Sequence, residues 1–215
     1  MLATTLLKDA FGRVAEELPA SLDGLSAEQL LWRPGPDANS IGWLAWHIAR
    51  CEDAQMAPFR SLLDEANAAD AAAMVSSAAM LDPLGATGVA GTMAVPLQEA
   101  AHEAAESPDV WTSEGWFEKF GLPYERGDIG YGHSSEQVAA FDVTDVGLLT
   151  GYYAQVHGAT LGILDRLNED DFDRIVDANW DPPVTLGVRV VSVVNDITAH
   201  TGQIAYIRGL LANRR

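Results

Sequence analysis

Three ionisable side chains occupy positions where a helix pattern calls for apolar residues. Asp196 and His200 are one helical turn apart, and His200 lies between Ile197 and Ile204 on the apolar stripe of a predicted helix. Burying a carboxylate and an imidazole without partners costs several kcal/mol, so something must compensate them. A pair with this spacing offers one oxygen and one nitrogen to a divalent metal ion. A buried Asp–His hydrogen bond without a metal explains the same spacing equally well.

A third candidate ligand comes from another predicted helix. His47 borders the apolar face of the segment SIGWLAWHIAR. One histidine there and the Asp/His pair elsewhere would leave coordination positions open, as in catalytic metal sites. His157, at the edge of a third apolar face, is a candidate fourth ligand or a base that faces the substrate. Each histidine has the alternative of being a hydrogen-bonded core residue. Cys51, one turn after His47, is expected to be a small buried hydrophobic residue, with a ligand or a nucleophile as the alternatives.

Four segments with a helical apolar period must position these side chains. They cover residues 3–18, 41–59, 146–167 and 186–211, with a short additional helical turn over 26–31. The first segment is expected to end before Pro19, because a proline inside a helix removes a backbone hydrogen bond. The four apolar faces must meet in a common core, which predicts an all-α bundle.

Two segments depart from this pattern. Residues 61–107 are rich in alanine and contain no aromatic residue, which indicates an insertion within a single domain over 1–215. The alanine content favours weak helices over 64–80 and 97–106. Residues 111–136 combine aromatic residues with glycines, which indicates an ordered aromatic loop lying over the bundle. His102 and His133 fall in these two segments and are expected to be exposed.

Composition excludes several classes of partner. The chain of 215 residues carries 13 Lys and Arg against 31 Asp and Glu, a formal net charge of -18, which disfavours nucleic acids and anionic membranes. No apolar run approaches the roughly 20 residues that span a bilayer. Charges at Lys8 and Asp9 come too early for a secretory signal, and the single cysteine cannot form an internal disulfide. A cytoplasmic protein is expected.

Other common catalytic motifs are missing from the sequence. It contains no GxSxG, HExxH or CxxC pattern. The glycines of GDIGYG, over residues 127–132, follow no predicted strand and open no βαβ unit. They therefore match neither a Rossmann fingerprint nor a Walker loop.

Three segments together resemble the DinB/YfiT-like superfamily, and its actinobacterial members most. They are SIGWLAWHIARCEDAQ, the aromatic loop WTSEGWFEKFGLPYERGDIGYGHSSEQVAAF, and ANWDPPVTLGVRVVSVVNDITAHTGQIAYIRGLL. The resemblance covers most of residues 1–60 and 108–213. It implies a four-helix bundle with up-down-down-up connectivity and a metal site formed by one histidine on the second helix and a pair on the fourth.

These ligand positions correspond to His47, Asp196 and His200 in this sequence. Relatives hold Zn or Ni, whereas the hard oxygen of Asp196 also makes Mn or Fe an option. Characterised members include a mycothiol-dependent maleylpyruvate isomerase and S-transferases that use mycothiol or bacillithiol. The resemblance therefore implies a metal-dependent thiol S-transferase or isomerase, with a small-molecule electrophile and a low-molecular-weight thiol such as mycothiol as partners.

In such an enzyme, His157 and Gln203, which lies one turn from His200, would position the substrate or move a proton. One alternative is a metal-dependent hydrolase that uses metal-activated water. Another is a non-enzymatic stress-response or binding module in which the Asp/His cluster is structural. The resemblance also makes a homodimer plausible, because such bundles often pair through exposed helix faces.

Overall fold

Four long helices make up most of the described chain. The computed structural model describes residues 2–79 and 109–214. The long helices are α1 (Ala3–Leu22), α3 (Ile41–Ala79), α7 (Val146–Leu164) and α8 (Leu186–Ala212). They confirm the predicted all-α fold. Within the described ranges, no helix is long and apolar enough to cross a membrane.

Short elements connect the long helices. They are α2 (Ala27–Leu31), α4 (Val110–Ser113), α5 (Trp116–Phe120), α6 (Ser135–Ala139), a 3-10 helix (Glu169–Asp173), β1 (Ile175–Asp177) and β2 (Val184–Thr185). The two strands pair antiparallel between α7 and α8. The sequence analysis did not predict them, because two or three residues are too few to show an alternating pattern.

The predicted apolar stripes form the core. α1 packs against both α7 and α8 and buries Phe11, Val14 and Leu18 at spacings of three and four residues. The stripe on α8 buries Val193, Ile197 and Ile204, among others. Because these side chains fix the rotation of α8, they also fix the direction in which its polar positions project.

The first helix does not end before Pro19, so that prediction was wrong. α1 continues to Leu22, and the backbone N–H of Asp23 still donates to the carbonyl of Pro19 at 3.1 Å. Both Leu18 and Leu22 are buried. The burial of these two residues on either side of the proline outweighs the one hydrogen bond that the proline ring removes.

The second long helix is also longer than predicted. α3 does not end at Phe59 but runs through Pro58 to Ala79, so the predicted helix over 64–80 is its continuation up to Ala79. Alanine, the best helix former, favours this extension. The chain divides into two compact units, Met1–Ala57 with Pro108–Arg215, and Pro58–Ser107. Most of the predicted insertion over 61–107, including the helix over 97–106 and His102, lies outside the described residues.

The third long helix is shorter than predicted. α7 ends at Leu164 and not at Leu167. Asn168 caps the following 3-10 helix, and its capping box with Asp171 redirects the chain. Leu167 stays buried in the core although it lies outside the helix.

Aromatic side chains order the segment that precedes α7. The ring of Trp111 lies 5.1 Å from those of both Phe120 and Tyr152. The expected exposure of His133 was wrong, because its side chain is 4% exposed. Its ring stacks on Trp46 at 5.9 Å and meets Tyr124 edge-on at 4.6 Å. The loop therefore packs a histidine into an aromatic cluster.

Candidate metal centre

α3 and α8 bring three of the predicted residues together. The rings of His47 and His200 lie edge-to-face, with their centroids 4.7 Å apart. Nε2 of His200 lies 3.5 Å from Oδ1 of Asp196. Two imidazoles and one carboxylate, from two helices far apart in the sequence, thus lie together in the fold.

His47 is held by the chain that follows α5. Its Nδ1 donates to the carbonyl of Ile129 at 2.5 Å, and its ring stacks on Trp43 with centroids 4.7 Å apart. Because Nδ1 is the donor, Nε2 keeps its lone pair. Burial lowers the pKa of His47, so the neutral form, which can bind a metal ion, is favoured.

Gly130 allows this loop to approach His47. It adopts a left-handed conformation with φ +90°. A Cβ at this position would lie 2.7 Å from Nδ1 of His47 and 2.8 Å from Cζ2 of Trp43. The sequence analysis tested the glycines of residues 127–132 against phosphate-binding motifs only. Their role here is to let a backbone carbonyl reach a buried histidine.

His200 has its own positioning residue on the same helix. Nδ1 of His200 lies 2.9 Å from Oε1 of Gln203. The amide oxygen accepts a hydrogen bond from Nδ1, so Nε2 is the nitrogen that faces Asp196. The hydrogen bond between His200 and Asp196 lowers the pKa of Asp196 and raises that of His200. Gln203 therefore touches the predicted site through His200.

Asp196 has one oxygen without a partner. Its Oδ2 atom is buried and accepts no hydrogen bond from the described residues. The side chain as a whole is 38% exposed, and that of His200 is 20% exposed. Both residues therefore lie at the edge of the buried stripe of α8, whereas the sequence pattern predicted His200 on the stripe itself, between Ile197 and Ile204. The buried side chains of Ile197 and Ile204 occupy the centre of the stripe, so the helix rotation places Asp196 and His200 beside it.

Cys51 joins the same cluster. Its Sγ lies 3.5 Å from Nδ1 and 3.6 Å from Nε2 of His47. One ligand atom from each of His47, Cys51 and Asp196 lies within 4.8 Å of the others. Cys51 is buried as predicted, but its neighbours are polar. Its spacing of one turn from His47 is visible in the sequence, but there the interpretation as a small buried hydrophobic residue was favoured over a ligand or nucleophile.

His157 lies apart from this cluster. Its ring stacks on Tyr153 with centroids 6.2 Å apart, and burial lowers its pKa. Its Nδ1 is buried without a hydrogen-bond partner among the described residues. No hydrogen bond or ring contact of the described chain joins it to His47, Asp196 or His200.

The donor set fits a divalent transition metal. Two imidazoles, a carboxylate and a thiol are the groups that such ions bind in proteins. Both histidines carry a hydrogen-bond acceptor on Nδ1, which is the usual support for a ligand that binds through Nε2. The buried Oδ2 of Asp196 is the kind of unpaired atom that a cation would satisfy.

Comparison with known proteins assigns the family. The chain belongs to the DinB superfamily, whose profile matches residues 10–204. It is similar to a solved structure of a conserved protein from Enterococcus faecalis, with 28% sequence identity and a TM-score of 0.72. That comparison covers 100% of this chain and 99% of the other. No curated protein matches the sequence.

Proposed function

We propose that this member of the DinB superfamily binds a divalent transition-metal ion through His47, Asp196 and His200. The observation that carries the proposal is Oδ2 of Asp196, which is buried and has no hydrogen-bond partner among the residues that the structure describes. Beside it lie two imidazoles whose Nδ1 atoms are already engaged by Ile129 and Gln203. When His200 is neutral, lone pairs on one oxygen and two Nε2 atoms lie at one place, and a cation can bind all three.

The residues of the chain have separate tasks in this proposal. The carbonyl of Ile129 and the amide of Gln203 orient the two imidazoles, while Asp196 supplies a negative charge that offsets part of the ion's charge. A bound ion of this kind lowers the pKa of a thiol or a water that coordinates it and so supplies a nucleophile at neutral pH. The partial exposure of Asp196 and His200 leaves the site open to small molecules from solvent.

The proposed reaction is the transfer of a low-molecular-weight thiol, of the mycothiol type, to a small electrophile, or an isomerisation that uses such a thiol. The support is the resemblance to superfamily members that use mycothiol or bacillithiol. Zn and Ni are the first candidates for the ion, with Mn and Fe as further options. In this assignment, Gln203 positions His200, and His157 stays outside the ligand set because its ring contacts Tyr153.

Metal content and thiol dependence test the proposal. We expect protein purified without added metal to hold a divalent metal that elemental mass spectrometry detects and that His200→Ala loses. A metal content below about a tenth of an equivalent per chain, together with a melting temperature that does not change on addition of Zn, Ni or Mn, would favour a structural Asp/His cluster.

The thiol is tested separately on a panel of electrophiles with and without mycothiol. Turnover that requires the thiol supports the transferase or isomerase. Turnover that does not require it points to the metal-dependent hydrolase.

A further inference from the structure

The geometry points to Cys51 as a fourth ligand of the proposed ion, so that two imidazoles, a carboxylate and a thiolate would hold it. This inference rests on the proposed function and extends it with a ligand outside the His/Asp set. It also narrows the choice of metal.

The first argument is distance. Sγ of Cys51 lies 3.6 Å from Nε2 of His47, the nitrogen that the hydrogen bond to Ile129 leaves free. Zinc binds sulfur at about 2.3 Å and nitrogen at about 2.0 Å, so two ligands of one ion lie roughly 3–4 Å apart. The candidate atoms of Asp196 and Cys51 are also within 4.8 Å of each other. The thiol is therefore placed for the same ion.

The second argument is the environment of the thiol. A cysteine that only fills space is surrounded by apolar groups. Cys51 instead meets both ring nitrogens of His47 and lies 4.0 Å from the carbonyl of Ile129. A ligand atom of Asp196 lies within 4.8 Å of its sulfur. The polar contacts of the thiol within the described residues are therefore with His47 and with the carbonyl that holds His47.

The third argument is that the two helices carry their candidate ligands at the same spacing. His47 and Cys51 are four residues apart on α3, and Asp196 and His200 are four residues apart on α8. Each helix therefore presents two potential ligands from successive turns of one face. The two pairs meet through the contact of the His47 and His200 rings.

A thiolate changes which metals the site prefers. Sulfur is a soft ligand and favours Zn over Mn, which the hard oxygen of Asp196 alone would allow. Formation of the metal–sulfur bond releases the proton of the Cys51 thiol to solvent. The thiolate and Asp196 then balance the two positive charges of the ion, and a substrate thiol would join as a fifth ligand, an expansion that zinc allows.

Cobalt substitution of the full chain tests the inference. The protein is stripped of metal, kept reduced with a phosphine so that no added thiol is present, and titrated with Co²⁺. A thiolate bound to Co²⁺ gives a charge-transfer band in the near ultraviolet, in addition to the visible d–d bands. Because the chain has one cysteine, such a band in the wild type must come from Cys51.

We expect the near-ultraviolet band in the wild type and its loss in Cys51→Ser, with the d–d bands retained. We also expect Cys51→Ser to bind Zn²⁺ at least about tenfold more weakly, since even residues that merely support a ligand contribute that much. The affinity for Mn²⁺ should change less. Circular dichroism establishes that the variant is folded, and the wild-type spectrum decides the question by itself if the variant does not fold.

The negative outcomes separate the two claims. Wild-type protein that shows d–d bands without a near-ultraviolet band would overturn the role of Cys51 and leave the proposed metal site standing. A near-ultraviolet band that persists in Cys51→Ser has the same meaning. Wild-type protein that binds neither Co²⁺ nor Zn²⁺ would overturn the proposed function together with this inference.

Discussion

Two groups of ionisable residues on α3 differ in how completely their hydrogen bonds are satisfied. Arg50 and Asp53 have side chains that are 1% and 3% exposed, and each has several partners. Arg50 donates to Asp109 at 2.8 Å and to the carbonyl of Asp128 at 3.1 Å. The group around His47 and Cys51, which alternates with the first group along the same turns of the helix, has a carboxylate oxygen without a hydrogen-bond partner among the described residues.

The carboxylate of Asp53 shows that the hydrogen bonds of the first group are satisfied. Its two oxygens accept hydrogen bonds from the backbone N–H groups of Val110 and Trp111 and from the hydroxyl of Tyr152, all at 2.8 Å. In the second group, Oδ2 of Asp196 accepts none from the described residues. A buried charge alone therefore does not indicate a binding site. Nor does an unpaired oxygen alone, because both oxygens of buried Glu52 also lack a hydrogen-bond partner among the described residues. The informative feature is an unpaired oxygen beside two imidazoles.

The largest effect is expected from breaking the saturated group. Asp53→Ala removes three accepted hydrogen bonds and leaves the buried guanidinium of Arg50 with less compensation. Loss of one partner of a buried ion pair costs about 3–5 kcal/mol. We expect a decrease of that size in the free energy of unfolding, measured in urea.

Asp9→Ala, which breaks the exposed ion pair with Arg13, is the control and should leave stability unchanged within error. A loss below about 1 kcal/mol in Asp53→Ala would contradict the structural role of the group. The reciprocal variant, His200→Ala, should abolish metal binding without a comparable loss of stability in the metal-free protein.

The second prediction concerns Glu52, which lies between Cys51 and Asp53 in sequence and is fully buried. Burial is the largest influence and raises the pKa of Glu52 to about 7 from 4.5. Thr160 and Tyr153 lower this pKa, and the neighbouring charge of Asp53 raises it. The folded state therefore binds a proton that the unfolded chain releases. The stabilising contribution is complete below about pH 4.5 and is lost as pH rises through about 7.

Glu52→Gln cannot titrate and should remove this dependence. Between pH 4.5 and pH 7, we expect the wild type to lose about 3 kcal/mol of unfolding free energy relative to the variant. Urea titrations at a series of pH values measure it. A difference that stays constant with pH would mean that Glu52 titrates normally in the folded protein.

The third prediction uses two glycines of the same loop as a matched pair. Gly130 and Gly132 are both left-handed, with φ +90° and +74°, but only Gly130 has atoms within 4 Å of an added Cβ. Gly132→Ala should cost about 1 kcal/mol from backbone strain. Gly130→Ala should cost about 1–3 kcal/mol more, because the Cβ would overlap His47 and Trp43.

The same two variants are also compared by their affinity for metal at the candidate centre. Gly130→Ala displaces the ring of His47 and should weaken Zn²⁺ binding, whereas Gly132→Ala should not. Thermal unfolding and isothermal titration calorimetry measure the two effects. Equal behaviour of the two variants would show that the approach of this loop does not position His47.

The smallest effect is expected at Gln203. Gln203→Leu removes the acceptor for Nδ1 of His200 but keeps the size of the side chain. Partners of this kind contribute about 10–100-fold to metal affinity. We expect Zn²⁺ binding to weaken within that range, with little change in stability, because the residue is exposed. Gln203→Glu keeps an acceptor and should retain the affinity.

Helical periodicity predicted the four long helices because apolar faces recur over many residues. It also identified His47, Asp196 and His200, which the structure places together. It failed at Pro19, where burial on both sides of the proline carries the helix on. Such packing depends on α7 and α8, which are distant in sequence, and no local pattern reports it.

The parts of the centre that sequence reasoning missed are of two kinds. The carbonyl of Ile129 is backbone, and every residue type has one, so no residue pattern marks it. Cys51 carried a spacing signal, but a single cysteine in a helix is most often a core residue. Its polar neighbours become visible only when α3, α8 and the loop are assembled.

Two successive carbonyls of the loop bond to two side chains of α3. The carbonyl of Asp128 accepts from Arg50, and that of Ile129 accepts from His47. The loop is thus held in register against the helix. One peptide unit contacts the ion-paired group, and the next contacts the candidate centre. Inserting one residue between Asp128 and Ile129 would put the two contacts out of step, so the length of this loop matters here as much as its composition.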